Sequence, residues 1–409
     1  MNRRPGRRLV VATLTALVAW GLATGPAAAA APAAAAPAAV AAVAAGLERR
    51  PPIRDLQWYL NALKIPDAHK LTRGTGVIVG LIDNGVYAQH RDLQGQILAG
   101  AGFGAMAGSD GRTDTDAKGH GTMMAGLIVA KGGGADRALG IAPEAKVLPV
   151  GVGVPNTTPD TVASAIRWAV DHGADVLSLS FGSSGDNGRD ILTAAIRYAL
   201  DPDVVVVAAA GNTGDPGATS DSDVDLPADV PGVIAVAASD KGANHLPTSV
   251  HGPEVVLTAP GEELASTATP NFAESGYGYT GETSGATAIV AGVVALVRAR
   301  YPDLDAPNVV NRLLATAKDQ GDGGRDPYYG FGTVRPLDAL TASVPAVDAW
   351  PLATPPPTGD GNGGGTRAAS DSGASVVPRA VWILGGGCLL VVLVVVAALA
   401  ATGRRRRRS

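Results

Sequence analysis

The chain has 409 residues, of which 46% are hydrophobic and 17% charged, and its formal net charge is −4. This composition is too apolar for a disordered protein, and the single cysteine, Cys388, excludes an intrachain disulfide and a cysteine-rich zinc site. Nine arginines lie in residues 3–8 and 404–408, so the rest of the chain carries a formal charge of −13. An acidic body argues against nucleic acid as a partner.

The first 30 residues have the pattern of a secretory signal peptide. Residues 1–8 are basic, residues 9–25 are apolar, and an Ala/Pro-rich stretch with several Ala-x-Ala cleavage options follows. An uncleaved membrane anchor is the alternative. We therefore expect export, with residues 31–55 as an Ala/Pro-rich extension before the globular part.

Strand-like and helix-like runs alternate over residues 56–340. Apolar, β-branched runs typical of doubly buried strands lie at 76–82, 145–152, 175–181, 203–210, 232–238 and 255–258. Helical runs lie at 161–171, 190–200, 283–300 and 306–317. This alternation predicts an α/β domain with a mostly parallel sheet covered by helices. The helix at 283–300 is expected to be buried nearly all round and to end before Pro302.

The C-terminal part has the pattern of a tethered membrane protein. Residues 341–379 are rich in Pro, Gly and Ser and predict a linker. Residues 380–403 are 24 residues without a charge, long enough for one transmembrane helix, and the basic tail 404–409 follows. The positive-inside rule then places this tail in the cytoplasm and the rest of the mature chain outside the cell membrane. The alternative, a buried core helix beside a nuclear-localisation-like run, conflicts with the signal peptide.

Polar residues that could carry chemistry follow the predicted strands, where loops meet helix starts. Asp83 ends the first strand and precedes the turn signal Asn84-Gly85, and a lone Asp before a turn is usually a cap or turn former. His120 lies between Gly119 and Gly121 at the start of a helix of small residues, where the alternative is a histidine in a helix cap.

Ser284 and Asn212 offer a nucleophile and an oxyanion donor. Ser284 stands at the start of the helix at 283–300, where serine is also the commonest N-cap but where negative charge beside a hydroxyl is favoured. Asn212 follows the strand run at 203–210, and its amide could donate to an oxyanion or form a turn. Each signal is weak alone, whereas the ordered set of Asp83, His120, Asn212 and Ser284 is specific.

The order and the surrounding motifs resemble the subtilisin family of serine proteases over about residues 57–339. The matching runs are VIVGLIDNGV at 77–86, GHGTMMAG at 119–126, AAGN at 209–212 and TSGATAIVAG at 283–292. The resemblance implies a three-layer subtilisin-like fold in which Asp83 orients His120, His120 is the general base, Ser284 is the nucleophile and Asn212 belongs to the oxyanion hole. It also implies that the run Ser180, Phe181 and Gly182 binds extended substrate.

The whole layout resembles the mycosins, membrane-anchored subtilases of actinobacterial type VII secretion. The shared features are the signal peptide, the lead-in QWYLNAL at 57–63, the tether and the single C-terminal span. This chain departs from the family pattern at Glu282, where the family has Gly, at Gly285, where it has a larger apolar residue, and at Ala288, where it has Pro. A carboxylate at Glu282 would oppose oxyanion formation if it pointed inward.

We therefore expect a membrane-anchored, extracytoplasmic serine endopeptidase that cleaves proteins or peptides and acts with type VII secretion machinery. The alternative is a catalytically silent subtilase-fold scaffold or peptide-binding component of a secretion complex. An α/β esterase fits poorly, because no Gly-x-Ser-x-Gly elbow surrounds Ser284. We expect no cofactor: Asp114, Asp116, Asp221, Asp223 and Asp225 could bind Ca²⁺, but no EF-hand-like spacing supports it.

Overall fold

A computed structural model describes residues 51–154, 157–183, 185–215 and 222–352. The predicted signal peptide at 1–30, the transmembrane helix at 380–403 and the tail at 404–409 lie outside the described residues. So do most of the extension at 31–55 and most of the linker at 341–379. These segments, and the domain boundaries at 56 and 340, stay predictions.

Seven strands form the central sheet, and all the pairings between them are parallel. They are β1 (Ile78–Asp83), β2 (Ala101–Gly102), β3 (Lys146–Gly151), β4 (Val176–Leu179), β5 (Val205–Ala209), β6 (Ile234–Ser239) and β7 (Leu257–Pro260). Their order across the sheet is β2-β3-β1-β4-β5-β6-β7. Because β1 lies between β3 and β4 and is paired with both, its last residue, Asp83, is held at the carboxyl edge of the sheet.

Helices cover both faces of this sheet. They are α1 (Ile53–Leu56), α2 (Trp58–Ala62), α3 (Ile65–Ala68), α4 (His120–Val129), α5 (Pro159–Asp171), α6 (Arg189–Leu200), α7 (Glu282–Arg300), α8 (Ala306–Thr316) and α9 (Pro336–Thr341). Helices α4 and α7 pack on each other and on one face, while α5 and α6 pack on each other and on the opposite face. The predicted three-layer α/β architecture is confirmed.

Helix α7 is the core helix of the domain. Among the described residues it is the one helix long and apolar enough to cross a membrane, but 78% of its most apolar stretch is buried inside the domain. Its small residues allow close approach: a Cβ at Gly292 would lie 2.7 Å from the Cβ of Ile141. The helix ends at Arg300, two residues before Pro302, as its sequence predicts.

The N-terminal lead-in is fixed to the domain by buried polar groups. The Gln57 side-chain amide donates to the carbonyl oxygens of Leu139 and Ala265 at 3.0 and 3.3 Å, and its oxygen accepts from the Leu139 N–H at 2.9 Å. The Tyr59 hydroxyl also donates to Ala265, at 3.0 Å. The lead-in is therefore an integral part of the fold.

The sequence prediction missed some edges and small elements. The run at 255–258 is shifted by two residues from β7, because the Val255 N–H closes a turn onto Gly252 and extended pairing starts only later. An antiparallel hairpin of β8 (Leu264–Thr267) and β9 (Tyr277–Thr280) lies outside the main sheet and was not predicted. Its strands are short and lack a continuous β-branched run, so apolar patterning does not reveal them.

Candidate active site

The predicted site residues line one cleft at the carboxyl edge of the sheet. This cleft has a volume of about 540 Å³ and is bordered by the ends of β1, β4 and β5 and by the starts of α4 and α7. Asp83, His120, Asn212, Ser284 and the run from Ser180 to Gly182 all contribute to its walls. The carboxyl ends of parallel strands meet at one edge, which is why residues far apart in the sequence converge here.

Asp83 and His120 form a paired carboxylate and imidazole. The Nδ1 atom of His120 lies 3.0 and 2.9 Å from the two carboxylate oxygens of Asp83. The Asp83 side chain is 3% exposed, whereas that of His120 is 31% exposed, so the imidazole can reach a bound molecule. Since Nδ1 faces the carboxylate, Nε2 is the nitrogen left for proton transfer with a substrate.

The charge around His120 favours its protonated form. Burial by itself lowers the pKa of the imidazole, but the carboxylates of Asp83, Asp116 and Asp114 outweigh it and raise the pKa of His120 to about 9. The helix start is held as well, because the Asp116 carboxylate accepts from the His120 backbone N–H at 3.1 Å. His120 is thus fixed at both its ring and its backbone.

Ser284 is not the cap of its helix. The residue at the N-cap of α7 is Gly281, and Ser284 is the third residue inside the helix. Its hydroxyl donates to the carbonyl oxygen of Ser180 at 2.8 Å, and the Ser180 hydroxyl donates to the carbonyl oxygen of Ser284 at 3.3 Å. This geometry removes helix capping as the explanation for a serine at this position.

The oxygen and the nitrogen of the Asn212 side-chain amide both form hydrogen bonds. The Oδ1 atom accepts from the backbone N–H and hydroxyl of Thr283 at 3.1 and 2.8 Å, and Nδ2 donates to the Asp215 carboxylate at 2.9 Å. An amide nitrogen carries two hydrogens, so one N–H of Asn212 is left for the cleft. The Thr283 bonds hold this amide at the residue that precedes Ser284.

Glu282 stands in a conformation that favours glycine. Its φ is 56°, in the left-handed region, which suits the glycine of the family pattern and is strained for the glutamate of this chain. Burial, together with the charge of Asp215, raises the pKa of the Glu282 carboxyl, while a hydrogen bond with Thr248 and the charge of Lys118 oppose that rise. The Glu282 side chain belongs to a residue that lines the same cleft as Ser284.

Of the other two sequence departures, the one at Gly285 has a packing explanation and the one at Ala288 has none in the structure. A Cβ at Gly285 would lie 2.6 Å from Cδ1 of Leu264, so that leucine occupies the space into which a larger side chain at 285 would extend. Ala288 is fully buried within α7. Neither change alters the pairing of Asp83 with His120.

Sequence reasoning missed several residues at this cleft. Thr283, which holds Asn212, lies in the motif at 283–292, but the sequence predicted no role of its own for it. Asp114 and Asp116 were considered only as Ca²⁺ ligands. The cleft is also lined by Phe272 and Tyr279, whose side chains are exposed. Within the described residues no group of three or more His, Cys, Asp or Glu is arranged to hold a metal ion, and Asp221 lies outside those residues.

Comparison with known proteins gives a consistent relationship. A model of the subtilase family matches residues 74–332. Mycosin-3 of Mycobacterium tuberculosis (strain ATCC 25618 / H37Rv) is 34% identical over 354 residues, covering 72% of this chain and 75% of the mycosin. A structure of the serine protease MycP1, described as an essential component of the type VII (ESX-1) secretion system, has a TM-score of 0.61 at 31% identity, covering 71% of this chain and 90% of that one.

A second structural relative belongs to a larger assembly. A chain in the periplasmic assembly from the ESX-5 inner membrane complex has a TM-score of 0.63 at 27% identity, over 79% of this chain and 90% of that one. The family model spans more than half of the chain, and it includes the segments that hold Asp83, His120, Asn212 and Ser284. The chain belongs to the subtilase family of serine endopeptidases and is related to the mycosins.

Proposed function

We propose that this protein is a membrane-anchored, extracytoplasmic endopeptidase of a type VII secretion system, with Asp83, His120 and Ser284 as its catalytic triad. The observation that carries the proposal is the 2.9 Å contact between Asp83 and His120 in the same cleft as a serine that does not cap its helix. Structural roles alone do not require this arrangement.

The geometry suggests a role for each residue in acyl transfer. Ser284 Oγ attacks the carbonyl carbon of the scissile peptide bond, and His120 Nε2 takes the hydroxyl proton. Asp83 stabilises the resulting imidazolium, and the same proton is then given to the leaving amine. Water, deprotonated by His120, hydrolyses the acyl-enzyme and regenerates Ser284.

Asn212 is the side-chain donor to the oxyanion. Its amide is oriented by Thr283, and its remaining N–H can act together with the backbone N–H of Ser284. The run from Ser180 to Gly182 forms the neighbouring wall of the cleft, and we assign it to extended substrate peptide. These roles are assigned from the positions of the residues in the cleft and from the chemistry of their functional groups.

The location is supported by both ends of the sequence. The signal peptide pattern at 1–30, the uncharged stretch at 380–403 and the five arginines at 404–408 fit a single-pass protein with an outer domain. The relatives described above come from a type VII secretion system and an inner membrane complex. Two measurements would test this topology. Detergent but not carbonate should extract the protein from membranes. Protease added to cells from which the outer layers have been removed should digest the domain.

A silent scaffold is the second candidate. It is favoured by Glu282 in the cleft and by the Ser284 hydroxyl, which donates to Ser180 instead of His120. In unliganded sites catalytic hydrogen bonds are often absent and form only with substrate, so the second observation has less weight.

Labelling of the full chain with a fluorophosphonate distinguishes the two functions. We expect wild type to be labelled, Ser284→Ala to lose labelling, and Ser164→Ala, an exposed serine on α5, to keep it. Absence of labelling in folded wild type would contradict the peptidase proposal. Recovery of labelling in Glu282→Gly would then identify Glu282 as the cause of silence.

A further inference from the structure

Asp114 lies six residues before His120, and the proposed reaction as described gives it no role. One of its carboxylate oxygens accepts from the backbone N–H and the hydroxyl of Thr122 at 2.8 and 2.5 Å. The other accepts from the Asp116 N–H at 3.0 Å. Asp114 is thus bonded to residues on both sides of His120 in the sequence.

Together the two carboxylates replace a conventional helix cap. The N-cap residue of α4 is Gly119, which has no side chain to accept a hydrogen bond. Asp116 instead accepts from the N–H of His120, and Asp114 accepts from the N–H of Thr122. Free N–H groups at a helix start need such partners, and carboxylates there are favourable.

Thr122 connects this cap to the loop that follows Asp83. Its side chain is fully buried, and its hydroxyl accepts from the Tyr87 N–H at 2.9 Å while it donates to Asp114. The helix start and this loop also approach closely, because a Cβ at Gly121 would lie 2.1 Å from the Gly85 carbonyl oxygen. Asp114 therefore orients the Thr122 hydroxyl, which links the helix start that carries His120 to the loop after Asp83.

The charged groups near Asp114 are mostly acidic. Asp83 faces it from β1, Asp116 from its own loop and His120 from α4, while Lys118 in the same loop is exposed. Among the described residues no Lys or Arg forms an ion pair with Asp114. Burial and the Asp83 charge raise the pKa of Asp114 to about 6, so it is mainly ionised at neutral pH.

We propose that Asp114 is a positioning residue for His120: it holds the first turn of α4 against the loop after β1 and adds a carboxylate charge beside the imidazole. This inference rests on the proposed function, in which His120 is the general base. It assigns no contact between Asp114 and the substrate.

The test uses the full chain as wild type, Asp114→Asn, Asp114→Ala and the control Asp110→Asn. Asp110 is an exposed residue of the same loop. The first measurement is the titration of the His120 ring by NMR of histidine-labelled protein, with His120→Gln to assign the signal. The second is the pH dependence of the fluorophosphonate labelling rate.

We expect Asp114→Asn to fold, because its amide oxygen can still accept from Thr122. Its His120 midpoint should fall by roughly half a pH unit or more, and the acid limb of labelling should shift in the same direction. Asp114→Ala also loses the Thr122 acceptor and should label at least about tenfold more slowly at its plateau. Asp110→Asn should match wild type in both measurements.

An unchanged His120 midpoint in Asp114→Asn would overturn the proposal, whatever happens to the melting temperature. The NMR titration does not need turnover. A wild type that never labels would therefore refute the proposed function, while the effect of Asp114 on His120 would still be measured.

Discussion

Ser284 and Ser180 exchange hydrogen bonds across the cleft, each hydroxyl donating to the other residue's carbonyl oxygen, at 2.8 and 3.3 Å. The pair joins the end of β4 to the third residue of α7. In the proposed reaction, the Ser284 hydroxyl must leave Ser180 and turn towards His120 before it can attack. The structure therefore represents a resting arrangement of the nucleophile.

Asn212→Ala should lower kcat by about 10² to 10³, equivalent to about 2.7–4 kcal/mol, because it removes one oxyanion donor. KM should change little, since the donor acts mainly in the transition state. Steady-state hydrolysis of a peptide substrate measures both constants, with the exposed residue Asn244→Ala as control. A rise in KM with kcat unchanged would show that Asn212 binds substrate without stabilising the oxyanion.

Glu282→Gly should stabilise the protein by about 1 kcal/mol, because glycine adopts φ 56° without steric cost. It should also speed fluorophosphonate labelling by removing a carboxylate beside the developing oxyanion. Thermal unfolding and labelling rates measure the two effects. Glu263→Gly is a matched control, since Glu263 has φ 43° but does not line the cleft.

Glu282→Gln separates the charge from the backbone effect. The pKa of Glu282 is raised in the folded state, so wild type loses stability as pH rises through that folded pKa. Glu282→Gln should therefore gain stability over wild type as the pH increases. A pH-independent difference between the two would show that this carboxyl is fully solvated.

The rate of hydrolysis should rise with pH, because only neutral His120 can accept the proton from Ser284. With the pKa of His120 raised to about 9, kcat/KM for the free enzyme should reach half its maximum near that pH. The raised pKa also stabilises the fold below about pH 6.5, the ordinary histidine value, and this contribution is lost as pH rises through about 9. A midpoint at or below pH 6.5 would show that the surrounding carboxylates do not hold the imidazolium.

Arg137→Ala should destabilise the domain by up to about 3 kcal/mol, because Arg137 forms an ion pair with Asp92, whose side chain is fully buried. Among the described residues, Asp92 would keep its hydrogen bonds from the Ala138 N–H and the Tyr277 hydroxyl and a 3.9 Å contact with Arg91. Denaturant unfolding measures the loss. As a comparison, Lys70→Ala removes the exposed ion pair between Lys70 and Asp67 and should lower the free energy of unfolding by less than about 1 kcal/mol.

Apolar patterning was enough to predict six of the seven strands of the sheet, but not the two-residue strand β2. Doubly buried strands such as β5 are continuous apolar runs, Asp83 is the last residue of β1, and Asn212 lies shortly after the end of β5. The carboxyl ends of parallel strands share one edge, so their convergence with His120 and Ser284 followed from topology. The catalytic roles themselves stay proposals.

Other features depend on local geometry that spacing does not show. Asp114 and Asp116 have the sequence pattern of a solvated acidic loop, and only the turn before α4 brings their oxygens to backbone N–H groups. The bond from Ser284 to Ser180 depends on one side-chain torsion. Glu282 has a left-handed φ directly after Gly281, which packs so closely on Gly261 that a Cβ at 281 would lie 2.3 Å from the Gly261 carbonyl oxygen.

The buried amide of Gln57 has a consequence for the order of folding. Its carbonyl partner Ala265 lies 208 positions later in the chain, so the lead-in has no complete binding site until most of the domain has been synthesised. Contacts of such long sequence separation form late and slowly, because the intervening chain must first be closed into a loop. If the chain is exported, its N-terminal segment can pass through a narrow membrane channel in extended form, since the contact that completes its binding site is made by residue 265 of 409.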